Sequence, residues 1–91
     1  MLDGKTVLVI GVGPGLGKEI ARAAHRDGAN VFLAARREDN LRSAADEIDP
    51  TGEQVGYHAT DITDADQLAQ LVAAVDARFG ALDGLAICAS F

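Results

Sequence analysis

Cysteine is nearly absent from this chain, with Cys88 alone among 91 residues. A lone thiol excludes an internal disulfide, leaves no thiol pair for a zinc site, and fits a reducing cytoplasm. Tryptophan is missing, and aromatic residues make up 4% of a sequence that is 48% apolar. That aliphatic, alanine-rich balance suits strands buried under helices better than a binding surface built from Tyr and Trp. Basic residues are also scarce. Eight Lys and Arg face fourteen Asp and Glu, a formal charge of -6. The attraction to a phosphate backbone that dominates nucleic-acid affinity is therefore missing overall, and DNA, RNA and acidic membranes are not expected partners. No apolar run approaches the ~18 residues of a membrane span, and the first one follows Asp3 and soon meets glycine and proline, unlike a signal peptide. There is no internal repeat, low-complexity tract or linker-like break, so residues 1–91 are expected to form one domain around one core.

What the chain does have is an alternation of apolar runs and helical patterns. Val7 to Ile10 reads as a strand buried on both faces and ended by Gly11. From Leu16 the apolar positions Leu16, Ile20, Ala23 and Ala24 fall at helical spacing, with His25 and Arg26 near the end and Gly28 as the stop. Val31 to Ala35 reads as a second strand. "REDNLRSAADEI" follows, with Leu41, Ala44, Ala45 and Ile48 on one helical face before Pro50 and Gly52. A weaker third strand spans residues 55–60. Asp64 and Gln67 then make a capping-box pattern that opens a helix carrying Leu68, Leu71, Val72, Val75 and Phe79, closed by Gly80. Leu85 to Ala89 reads as a fourth strand. Strands separated by single helices lie parallel, and right-handed crossovers predict a Rossmann-like, doubly wound α/β sheet in the order 3-2-1-4, with helices on both faces.

The most informative stretch is "IGVGPGLGKEI". A bend from a buried strand into a helix gathers main-chain N–H groups at the positive end of the helix dipole, a site for an anionic phosphate that side chains would keep away. The alternative is a tight turn that needs glycine for its backbone angles alone. The common G-x-G-x-x-G spacing fails here: counted from Gly11 it ends on Leu16, and counted from Gly13 on Lys18. The match is G-x-x-x-G-x-G, at Gly11, Gly15 and Gly17.

That spacing directly after the first strand resembles the short-chain dehydrogenase/reductase family. "HATDITD" and "DGLAICAS" support the resemblance, the second standing where the family usually reads D-x-L-V-N-N-A-G. The resemblance covers the whole chain. It implies that Gly11, Gly13, Gly15, Leu16 and Gly17 wrap the pyrophosphate of a nicotinamide dinucleotide. It also implies that Asp61 meets the adenine amino group with Ile62 beside the ring, and that Cys88 and Ala89 lie near the nicotinamide. Pro14 has no N–H to offer a phosphate. Ile87, Cys88 and Ser90 replace the family's two asparagines and glycine. Asp61 equally suits the N-terminal turn of the third helix, and Cys88 a place in the core. The acids Asp61, Asp64 and Asp66 do not match a calcium loop, and no metal site is expected.

A carboxylate at the end of the second strand would hold a free ribose hydroxyl, whereas a 2′-phosphate favours arginine. The sequence there is Ala35-Arg36-Arg37. The resemblance puts Arg36 where NADP is commonly read, so NADP is the expected cofactor, with NAD the alternative. The missing acid also argues against S-adenosylmethionine. Catalysis is a different matter. The family relies on a Tyr-x-x-x-Lys pair and a serine, but Tyr57 has Asp61 four residues on, and the only lysines are Lys5 and Lys18. No catalytic residue is assigned. The natural-looking start and the stop just past the fourth strand suggest the first part of a longer, hydride-transferring enzyme. The alternative is a noncatalytic nucleotide-binding or scaffold fragment that forms a homo-oligomer through its exposed fourth strand.

Overall fold

The computed structural model of the chain describes residues 3–11 and 16–87. Seven elements follow in order: β1 (Thr6–Ile10), α1 (Leu16–Arg26), β2 (Asn30–Ala35), α2 (Glu38–Ile48), β3 (Val55–Ala59), α3 (Ala65–Phe79) and β4 (Gly84–Ile87). All three strand pairings are parallel, and the sheet runs β3-β2-β1-β4. The expected topology is the observed one. Observed β4 ends at Ile87, so the predicted extension to Cys88 and Ala89 lies outside the described residues.

Side chains alternate across the sheet, as the two-residue period of a strand requires. Val9, Val31 and Leu33 enter a cluster with Ala21 and Ala24 of α1 and with Leu41, Ala44, Ala45 and Ile48 of α2. Leu8, Ile10, Phe32 and Ala34 point the other way, into a cluster with Leu71 and Val75 of α3. Each large aliphatic side chain fully withdrawn from water contributes roughly 1.5 to 3 kcal/mol. Two helices thus cover one face and α3 alone covers the other, lying chiefly against β2 and β3.

Two helical faces differ from expectation. On α1 the buried positions are Gly17, Ala21 and Ala24, while Ala23 is exposed and Ile20 only half-buried. In an alanine-rich helix one methyl group marks a face no better than the next. On α3, Leu71 and Val75 are buried as expected, but Leu68 and Val72 keep 39% and 53% of their surface. Leu85 and Ile87 are also exposed, on edge strand β4, in register with buried Leu8 and Ile10.

The ends of the helices follow local chemistry. The Asp64 carboxylate accepts from the N–H groups of Asp66 and Gln67 and caps α3, and Gly80 closes that helix in the left-handed region at φ 78°. The reciprocal half of the capping box is displaced: Gln67 Oε1 accepts from the Asp61 N–H at 2.8 Å rather than from Asp64. Asp49, which the sequence did not single out, organises the loop after α2. Its carboxylate accepts from Thr51 Oγ1, from the N–H groups of Thr51 and Gln54, and lies 3.4 Å from His25 Nε2 on α1. Asp83 fastens β4 to the start of β1, because its carboxylate accepts from the Thr6 N–H and its own N–H donates to the Thr6 carbonyl.

Candidate functional site

Parallel strands end together, so the order β3-β2-β1-β4 carries three of the expected motifs to one edge of the sheet. Gly11 follows β1, Arg36 and Arg37 follow β2, and Asp61 and Ile62 stand just beyond β3. Gly13, Gly15, Cys88 and Ala89 lie outside the described residues.

Gly11 adopts φ 88°, a left-handed conformation that residues with a side chain seldom take. Its N–H donates to the Ala34 carbonyl at 2.8 Å, extending the ladder to β2 by one bond before the chain turns away. Leu16 opens α1, and Gly17 is buried in its first turn. The positive φ of Gly11 and a glycine in the first turn of α1 fit the passage of an anion close to main chain, the requirement of a dinucleotide pyrophosphate.

At the end of β2, Arg37 occupies the N-cap position of α2, and its side chain makes no capping hydrogen bond. The first-turn N–H groups of α2 are thus without a side-chain cap, while Arg36 and Arg37 are exposed beside them. Neither arginine is in an ion pair among the described residues. Free N–H groups, the dipole and two guanidinium groups favour a phosphate, against the opposing charges of Glu38 and Asp39 in the same turn.

Asp61 is held by its own loop. Its Oδ1 accepts from the Thr63 hydroxyl at 2.6 Å and from the Thr63 N–H at 3.0 Å. Those two bonds, with a smaller contribution from the Arg36 charge, hold the carboxyl below its ordinary value, so it stays ionised and an acceptor. The cap of α3 is Asp64, not Asp61. Ile62 is half-buried against the cluster beneath α3, which leaves part of its side chain free.

Two side chains able to exchange a proton stand on β3. Tyr57 is a β3 residue beside α2, where its side chain is the first cause holding the Arg42 guanidinium above its ordinary value. His58 Nδ1 lies 3.0 Å from Thr60 Oγ1 and serves the end of β3. Among the described residues, no three His, Cys, Asp or Glu side chains are placed to hold a metal ion, and no helix is long and apolar enough to cross a membrane.

Known proteins share this fold. The chain is 40% identical over 97% of its length to a glycine betaine reductase of Emericella nidulans, of which it covers 7%. It superposes on an actinorhodin polyketide ketoreductase bound to NADPH with a TM-score of 0.89 at 34% identity, covering 96% of this chain and 33% of that one. A 3-ketoacyl-(acyl-carrier-protein) reductase of Brucella melitensis in complex with NADH gives 0.86 at 30% identity, covering 93% and 34%. The chain spans about a third or less of the curated relatives it matches. The family model for short chain dehydrogenase matches residues 5–91, and the chain belongs to that family of oxidoreductases.

Proposed function

We propose that residues 1–91 form one dinucleotide-binding domain, the NADP-preferring part of a longer oxidoreductase. In that parent, a bound nicotinamide supplies hydride exchange with a carbonyl or alcohol substrate. The role of this chain is to bind and orient the cofactor, with no catalytic group of its own. The glycine turn at Gly11, Gly13, Gly15, Leu16 and Gly17 takes the pyrophosphate. Arg36 and Arg37 take the 2′-phosphate, and Asp61 and Ile62 take the adenine, while Cys88 and Ala89 face the nicotinamide. The exposed face of β4 is where the rest of the parent packs.

The observation that carries this reading is the pairing of two exposed arginines with an uncapped α2 N-terminus one strand away from the Gly11 turn. A ribose-binding site for NAD would be expected to offer a carboxylate at the end of β2 instead. One charge-assisted bond from Arg36 is worth ~1.5 to 3 kcal/mol, a roughly ten- to hundredfold preference for NADP over NAD. Calorimetric titration of the chain and of Arg36→Ala with both nucleotides tests it. The expected outcome is a preference that collapses in the variant through loss of NADP affinity, and equal affinities unchanged by the substitution would end the proposal.

A further inference from the structure

A lysine that follows a glycine-rich turn is where phosphate-binding loops commonly place a contacting ammonium group. Lys18 follows Gly17 at the third position of α1. Its side chain goes elsewhere. Lys18 Nζ lies 2.7 Å from Glu47 Oε2 on α2, with 22% of the lysine side chain exposed. The same oxygen accepts from Arg22 Nη2 at 3.2 Å, and Arg22 Nη1 lies 3.4 Å from Glu19. The bond from Lys18 is the first cause holding the Glu47 carboxyl below its ordinary value. An acid near the C-terminus of a helix is opposed by the dipole, and α2 has no basic residue in its last turn. The cations that neutralise Glu47 come from α1. Yet Lys18 sits only about 3 Å along the axis from the first residue of α1, a separation that its flexible four-carbon stem spans easily.

We propose that Glu47 is a positioning residue that withholds Lys18 from the cofactor phosphates, an inference that rests on the dinucleotide reading above. Tied to α2, Lys18 contributes no bond to the ligand, and the phosphates depend on main-chain N–H groups, Arg36 and Arg37. Removing the Glu47 charge releases an ammonium group at the mouth of the site.

The test is calorimetric titration of NADP and NAD into four chains: the unaltered protein, Lys18→Met, Glu47→Gln and the double variant. Lys18→Met is expected to bind within about twofold of the parent, because its ammonium group was already engaged. Glu47→Gln is expected to bind both nucleotides roughly three- to tenfold more tightly at low salt, the range of one partly exposed charge-assisted bond. That gain disappears near 1 M salt, where the screening length falls to about 3 Å. The double variant returns to the parent's affinity, which assigns the gain to Lys18 and not to Arg22. Glu47→Asp, which shortens the acid by one methylene, gives an intermediate gain and serves if Glu47→Gln does not fold. A pair that served only the fold would lower the melting temperature of Glu47→Gln with no gain in affinity, and that result overturns the proposal. So does a tenfold loss in Lys18→Met. An unaltered chain that binds neither nucleotide overturns the cofactor reading as well, whereas a binding parent with an unresponsive Glu47→Gln overturns the role of Glu47 alone.

Discussion

On one face of the sheet Val9, Val31 and Leu33 are fully buried beneath α1 and α2, whereas on the other Leu85 and Ile87 keep 56% and 63% of their surface in water. The residues are of the same kind, and β1 and β4 are in register side by side. What differs is cover. A helix about 10 Å across spans two strands, so two helices close the first face while α3, over β2 and β3, leaves the β4 side of the second open. Stability is thus concentrated on the α1 and α2 face, and the open side of β4, with Leu85 and Ile87 exposed, has the apolar character of surfaces that meet other protein.

The comparison can be broken at its strongest point first. Leu33→Ala, in the closed face, is expected to cost about 3 kcal/mol by the sum of lost transfer energy and residual cavity. Urea denaturation would read it directly. A cost below about 1 kcal/mol would mean that the closed face is not where the fold is held.

Asp49 gives the next effect, at the seam where α1 and α2 meet the loop into β3. Its carboxyl is lowered from 3.8 to about 2, first by the Thr51 hydroxyl and then by the N–H groups of Gln54 and Thr51 and by His25, against the opposing effect of burial. A carboxyl depressed in the folded state contributes its full stability above the unfolded value near pH 4 and loses it as pH falls toward 2. That contribution is about 2 kcal/mol. Stability of Asp49→Asn, followed against pH, should lie below that of the parent at pH 7 and converge with it near pH 2. A constant gap down to pH 2 would show that the carboxylate's charge is not what matters.

The smallest effect is expected on the open face. Leu85→Thr should change stability by no more than about 0.5 kcal/mol, since the side chain it removes is mostly in water. Sedimentation at rising concentration sharpens the point, because any self-association through β4 should weaken in the variant while the monomer stays as stable.

The contrast also explains what was legible in the sequence. Four strands and three helices could be read in order because most apolar runs are bounded by glycine, proline or a capping acid, and the parallel arrangement followed from single helices between them. The buried face of α2 was legible because Leu41 and Ile48 mark it, but α1 offered mostly alanines. The exposure of Leu68 and Val72 could not be read from helical spacing, since it depends on which strands α3 overlies. At the site, the turn at Gly11 and the arginines after β2 were visible as local patterns, and topology brought them to one edge. Lys18 and Asp83 escaped because their partners are far along the chain: Lys18 meets Glu47, and Asp83 meets Thr6. Asp49 bonds chiefly to Thr51 and Gln54 close by, a local turn that the acid before Pro50 could have signalled, and only its contact with His25 is distant.

The central claim is that the bare turn after β1 and the cationic start of α2 hold a pyridine dinucleotide. Titrating NADP and NAD into folded chain by calorimetry, with circular dichroism confirming the fold, tests it most directly. The account predicts saturable binding of NADP well below millimolar concentration and weaker binding of NAD. Folded protein that takes up neither nucleotide at millimolar concentration would contradict it.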